Sequence, residues 1–228
     1  MSTQICVSIL PKNITDAIDL IGKAEAAGAG FVEIRMDRLE ETCNLADLPK
    51  CTKLPLIATN KLQSEGGFFA GSEAERQHTL LYAALAGFAF VDVDFSSSLR
   101  MQTIAKLKQL NQKIVVSYHK FDGILDVSSL ERILDEEISI GADICKIVLT
   151  ANQIEDNLPI LNFVSFASAK AKLVCFCMGE LGKLSRLLSP VFGAFFTFAA
   201  LEPGNHTASG QMSIKDMKSA YKLLGIGQ

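Results

Sequence analysis

Two side chains combine a residue type and a setting that could support covalent chemistry. Lys146 stands inside an apolar run at 142–149, and His119 ends a second apolar run at 113–119. An ammonium within an apolar strand loses hydration, so the expected response is a lowered pKa and a larger share of free amine. A free amine attacks ketones and aldehydes, and a histidine moves protons near neutral pH. Together they point to Schiff-base chemistry. Other polar residues recur on comparable runs. Glu33, Arg35 and Asp37 alternate along one face of a strand-like segment, as do Asp92 and Asp94 on another. Lys61 and Glu65-Gly66-Gly67 follow a third run, Arg186 follows a later one, and a Gly/Ser/Thr-rich segment at 203–211 follows the last. Each has a plainer reading: an ion pair at Lys146, a Glu33–Arg35 salt bridge, a solvated Arg186, a structural His119. Their convergence favours a site.

The elements that must position them alternate in character. Short β-rich runs occur at 4–9, 30–36, 54–59, 89–95, 113–119, 142–149, 172–178 and 193–198. Between them, helical spacing occurs at 15–27, 72–86, 97–110, 128–140, 153–171 and 213–224, with shorter segments at 39–48 and 180–188. Strands that are apolar on both faces belong to parallel sheets. Eight strand–helix units predict an α/β fold, the (β/α)8 TIM barrel, whose sites form at the C-terminal strand ends. A doubly wound sheet is the runner-up, but the glycine fingerprint it would bring is missing. One domain over residues 1–228 is expected.

Composition narrows the function. The 228 residues are 49% hydrophobic and 21% charged, with net charge −3. Lys and Arg are scattered rather than bunched, so no nucleic-acid partner is expected. The most apolar stretch, 191–201, is interrupted and too short for a bilayer, and the N-terminus has no secretory pattern. Cysteines at 6, 43, 51, 145, 175 and 177 lack metal-ligand spacing. Reduced thiols, no metal and a cytoplasmic location are the expectations. Cys145 should face away from Lys146, and His78 and His206 should be exposed.

At these residues the chain resembles the type I 3-dehydroquinate dehydratases, the Schiff-base enzymes of the shikimate pathway. Glu33-Ile-Arg-Met-Asp37 is similar to the family's E-x-R-x-D strand, and Glu65-Gly-Gly67 to its E-G-G loop. Ser117-Tyr-His-Lys-Phe121 is similar to its S-x-H-[DN]-F segment, and the run around Lys146 to its lysine strand. Met178-Gly-Glu-Leu-Gly182, Ser185-Arg186 and Gly210-Gln211 resemble its closing region. The resemblance implies that Lys146 forms an imine with the C3 ketone of 3-dehydroquinate. His119 would help form and hydrolyse that imine and carry the C2 proton to the departing C1 hydroxyl in a syn elimination. Glu65 would orient His119. Arg186 would clamp the substrate carboxylate, and Glu33 and Arg35 would hold ring hydroxyls. Gln211, with Thr207 or Ser209, would close over the ring, against Met178 and Phe198. No cofactor is implied, because the lysine is the electron sink. A homodimer is implied too, and in some organisms a following shikimate dehydrogenase domain.

The chain departs from the pattern in places. Lys61 stands where the family usually has a substrate-contacting arginine, and lysine lacks the planar fork. Phe176 replaces a pocket methionine, Ser209 replaces a proline, and the last loop is longer. Two competing readings remain: a lysine-dependent aldolase of phosphorylated sugars, which would want a glycine-rich phosphate site, and a barrel that binds its ligand without converting it.

Overall fold

The computed structural model describes residues 3–40, 44–204 and 207–226; Cys43 and His206 lie outside them. Eight parallel strands form one sheet in the order β7-β6-β5-β4-β3-β2-β1-β8. They are β1 Ile5–Ile9, β2 Phe31–Arg35, β3 Leu56–Thr59, β4 Phe90–Asp94, β5 Lys113–His119, β6 Ile144–Thr150, β7 Leu173–Met178 and β8 Thr197–Ala200. A hydrogen bond from Phe195 N–H to Leu173 O, 2.8 Å, draws the β8 end toward β7 and nearly closes the ring. The alternating helices are α1 Ile14–Ala26, α2 Asp47–Lys50, α3 Glu73–Leu85, α4 Arg100–Gln109, α5 Val127–Ser139, α6 Asn157–Ala167, α7 Lys183–Leu188 and α8 Ile214–Leu223. The expected (β/α)8 barrel is the observed architecture.

Local chemistry sets the helix starts. Asn13, Ser72, Asp126 and Ser213 cap α1, α3, α5 and α8 by accepting from backbone N–H groups of the first turn. Ser72 and Glu75 complete a reciprocal capping box. Three expected segments come out differently. The 153–171 helix narrows to α6, because its start winds as a 3-10 turn at Ile154–Asp156. Strand eight begins at Thr197 rather than 193, since Gly193 at φ +110° ends a 3-10 turn and redirects the chain. Of the segment at 39–48, only the short α2 is α-helical among the described residues.

The period-2 alternation divides the apolar residues between two faces. Outward residues such as Val7, Ile34, Val91 and Val116 pack beneath the helices with Ile21, Leu80 and Leu107. Cys145, Ile147 and Leu149 pack with Leu130, Phe163 and Val164, so Cys145 does face away from Lys146. Inward residues plug the barrel with Phe31, Ile57, Phe90, Val115, Ile144 and Phe196. Burial of each large apolar side chain contributes about 2 kcal/mol before entropy is charged. Above this plug, the next inward positions are polar: Ser8, Glu33, Thr59, Asp92, Ser117 and Lys146, all buried. Register brings them level, pairing Ser8 with Glu33 and Ser117 with Lys146. His78 is exposed, as expected.

Candidate active site

A cavity of about 260 Å³ opens above that polar layer at the C-terminal strand ends. All eleven residues singled out from the sequence line it. Lys146, His119 and Glu65 do so together with Glu33, Arg35 and Lys61, and the wall is completed by Met178, Arg186, Phe198, Thr207 and Gln211. Thr59, Gly66, Phe121, Val148, Phe176, Ala208 and Ser209 contribute as well.

Lys146 sits at the cavity floor, its Nζ 3.2 Å from Asp92 Oδ2, 3.5 Å from Glu33 Oε1 and 4.4 Å from the centre of the Phe198 ring. This overturns the expected lowered pKa. Burial does work against the charge, but Asp92 and Glu33 outweigh it and raise the ammonium to about 12. Asp92 is itself kept ionised against its burial by Lys61, Lys146 and the Ser117 hydroxyl, which donates to Oδ1 at 2.6 Å.

His119 ends β5 on the same inner face, two register pairs beyond Ser117 and Lys146. Its ring stacks on Phe121 with centroids 6.3 Å apart. Burial, then the Lys61 and Lys146 cations, push its pKa well below 6.5, so the imidazole is neutral and able to accept a proton. The hydrogen bond with Glu65 expected to orient it is not made. The Glu65 carboxylate accepts from Ser96 Oγ at 2.8 Å, and among the described residues no hydrogen bond joins it to His119. The E-G-G loop folds tightly back on Lys61. A Cβ at Gly67 would lie 2.0 Å from the Lys61 carbonyl oxygen, so only glycine fits.

The other cations divide into paired and unpaired. Arg35 forks onto Asp37 with bonds of 2.9 and 2.7 Å, so the Glu33–Arg35 salt bridge does not form. Glu33 instead accepts from Ser8, from Thr59 Oγ1 at 3.0 Å and from Lys146. Lys61 pairs with Asp94, donates to Ser117 Oγ at 2.9 Å and reaches Asp92 at 3.4 Å. Arg186 is only 1% exposed, so it is not a solvated surface charge. Its guanidinium covers the Phe176 ring at 4.3 Å, one amine donates to Ser209 O at 3.3 Å, and among the described residues Nε has no partner. Burial, with no acid partner among the described residues, lowers its pKa to about 9, leaving it charged at neutral pH and in want of an anion.

The arginine is fixed from below. Ser185 Oγ on α7 accepts from Cys177 N–H at 2.9 Å, and Thr197 Oγ1 donates to the Arg186 carbonyl at 2.6 Å. Residues 207–211 of the last loop are docked as well. Ser209 O accepts from Gly179 N–H at 3.1 Å, and Thr207 N–H donates to Gln211 Oε1 at 2.8 Å. Gly210, at φ +72°, leaves no room for a Cβ against the Gly179 carbonyl, 2.0 Å away.

A cavity with a charged lysine between two carboxylates, a neutral histidine and a buried unpaired guanidinium suits a carbonyl compound that carries a carboxylate. A family model describing type I 3-dehydroquinase matches residues 5–228. The chain belongs to the type I 3-dehydroquinase family. A 3-dehydroquinate dehydratase of Dehalococcoides mccartyi is 37% identical over 198 residues, 87% of each chain. One from Methanococcus maripaludis is 33% identical over 224 residues, 97% of this chain and all of that one. The crystal structure of the Aquifex aeolicus 3-dehydroquinate dehydratase superposes with TM-score 0.79 at 26% identity, covering 97% of this chain and 98% of that one.

Among the residues that brace this 3-dehydroquinase site from behind, the sequence placed Thr59, Asp92, Asp94 and Ser117 on or beside the strands without giving them a role, and it did not single out Ser8 or Arg76. For Asp92 and Asp94 a signal existed, two acids alternating with valines on β4. For Arg76 the signal was helix phase, since it shares the buried stripe of α3 with Leu80 and Ala83.

Proposed function

We propose that this hydro-lyase converts 3-dehydroquinate to 3-dehydroshikimate, a step of the shikimate pathway, through an imine on Lys146. The observation that carries the reading is the pairing of Lys146, on its bed of Asp92 and Glu33, with the unpaired Arg186 across one cavity. The substrate carboxylate would bind Arg186 in a charge-assisted, bidentate manner, directing the ketone toward Lys146. His119, held neutral, takes the proton that the ammonium must give up. The amine adds to C3, His119 returns that proton to the carbinolamine oxygen, and water leaves, forming the iminium and a neutral imidazole. The carboxylates that stabilise the ammonium stabilise this cation equally, and the iminium draws electrons from C2. His119 removes the C2 proton and returns it to the C1 hydroxyl, which departs as water on the same face. Addition of water to the iminium then releases product and restores the amine, so one water is lost in total.

Thr207, Gln211, Met178 and Phe198 would enclose the ring. Glu33 and Arg35 would meet its hydroxyls with the hydrogen-bonding capacity left by Thr59 and Asp37. Lys61, turned toward Asp92 and Asp94, would act on the floor more than on the ligand. Glu65, bonded to Ser96, would reach His119 only after movement of its loop. A single-barrel catalytic unit, a homodimer and a cytoplasmic location belong to the same reading. The free thiols of Cys6, Cys51, Cys145, Cys175 and Cys177 agree with a reducing compartment. Among the described residues, no helix is long and apolar enough to cross a membrane.

The deciding experiment adds 3-dehydroquinate and borohydride together, then maps the protein by intact mass and peptides. A stable adduct on Lys146 is expected; none on a folded protein would return the reading to a binding barrel or another carbonyl substrate. Arg186→Ala is expected to raise KM by roughly 100-fold, the scale of stripping one partner from a buried charge pair. Unchanged kinetics would remove Arg186 from substrate binding. The depressed His119 pKa also has a sign. As pH falls through 6.5 the imidazole stays neutral, so activity should persist there and decline only at lower pH. An acid limb of kcat/KM at or above 6.5 would contradict the assignment.

A further inference from the structure

The cavity floor is one end of a line of alternating charge that begins outside the barrel. Glu73 on α3 accepts from Arg76 at 2.8 and 3.0 Å, and Arg76 pairs with Asp94. Asp94 pairs with Lys61, Lys61 lies 3.4 Å from Asp92, and Asp92 meets Lys146 with its other oxygen at 3.2 Å. Arg76 is 2% exposed and lies outside the cavity wall. A charged arginine on the buried stripe of a helix is costly, and an apolar residue would ordinarily serve there. Asp92 divides its two oxygens between two lysines, so a stronger hold by one weakens its hold on the other.

From this chain of contacts we infer that Arg76 is a positioning residue for the dehydration, acting through Asp94 and Lys61 on how tightly Asp92 holds the Lys146 ammonium. The inference rests on the proposed role of Lys146. The groups facing that lysine are Cys6 of β1, Glu33 of β2, Asp92 of β4 and His119 of β5, with Lys61 beyond Asp92 and Glu137 of α5 behind the strand. Removing the Arg76 charge leaves Asp94 to draw Lys61 away from Asp92, which then tightens on Lys146. Removing the Asp94 charge releases Lys61 to Asp92 and loosens Lys146. The signs must alternate along the chain.

The test measures the rate of borohydride-trapped imine formation at saturating 3-dehydroquinate across the neutral and mildly alkaline range. It uses wild type, Arg76→Met, Arg76→Lys and Asp94→Asn. Arg76→Met is expected to displace the rate–pH curve about one unit to higher pH, roughly tenfold slower at a given pH. Arg76→Lys keeps the charge and should fall between this and wild type. Asp94→Asn should displace the curve the other way and trap faster, which simple structural damage does not do. If Asp94→Asn does not fold, Glu73→Gln, at the partly exposed outer end, gives the same sign at smaller size. Slowing by both kinds of variant, or displacement by neither, overturns the inference. A wild-type chain that forms no adduct on Lys146 removes the Schiff-base reading and the inference with it. A wild-type adduct with unmoved variants removes the inference alone.

Discussion

Lys146→Ala is expected to reduce turnover of 3-dehydroquinate by roughly 10⁴-fold or more, leaving only what the cavity achieves by binding. The imine is the electron sink of the proposed mechanism, and no other amine can take its place. The Lys61 ammonium is committed to Asp94, Asp92 and Ser117. The substitution also leaves Glu33 and Asp92 short of a buried cation, on the scale of about 3–5 kcal/mol for a broken buried pair. Lys61 remains on Asp92 and softens that loss. Lys146→Arg separates the two effects, because it keeps the charge and removes the nucleophile. Both variants should be inactive and untrappable by borohydride, with Lys146→Arg the more stable in a thermal melt. Near-normal activity in either would end the Schiff-base proposal.

His119→Ala carries the second largest effect, a loss of about 10² to 10⁴ in kcat, the usual range for one general acid–base group. The shape of the loss matters more than its size. Without His119 the cavity loses the neutral base assigned to take the proton from the Lys146 ammonium, so imine formation slows. Hydrolysis of the imine slows as well, so an adduct should accumulate and be visible by intact mass before any reductant is added. Fast, clean turnover without accumulation would take His119 out of the mechanism. His119→Gln keeps a hydrogen-bonding group without a titratable proton, and it should resemble alanine in rate.

The barrel could be read from the chain because its signals are local. Apolar runs with β-branched residues, helical spacing between them and Ser caps such as Ser72 and Ser213 depend on neighbours within a few positions. Boundaries slipped where a local turn intervened, as at Gly193 and at Ile154–Asp156, since periodicity does not register a change in helix type. The inner face was legible too. An alternating strand that carries Glu33 and Arg35, or Asp92 and Asp94, must aim both side chains the same way.

Pairing was another matter. Lys146 meets an aspartate 54 residues away and a glutamate 113 residues away, and Arg35 takes Asp37 in preference to Glu33. Barrel closure and register choose these partners, and nothing in the run at 142–149 encodes them. For that reason a lysine in an apolar strand suggested a lowered pKa, while the folded chain raises it. The same holds for Arg186, whose helical segment looked solvent-facing until α7 and the last loop packed around it. Residue type and periodicity were enough to name the chemistry and the surface that bears it. The charge state of each group depends on distances between strands far apart in sequence, because Coulomb energy falls with separation and grows as water is excluded.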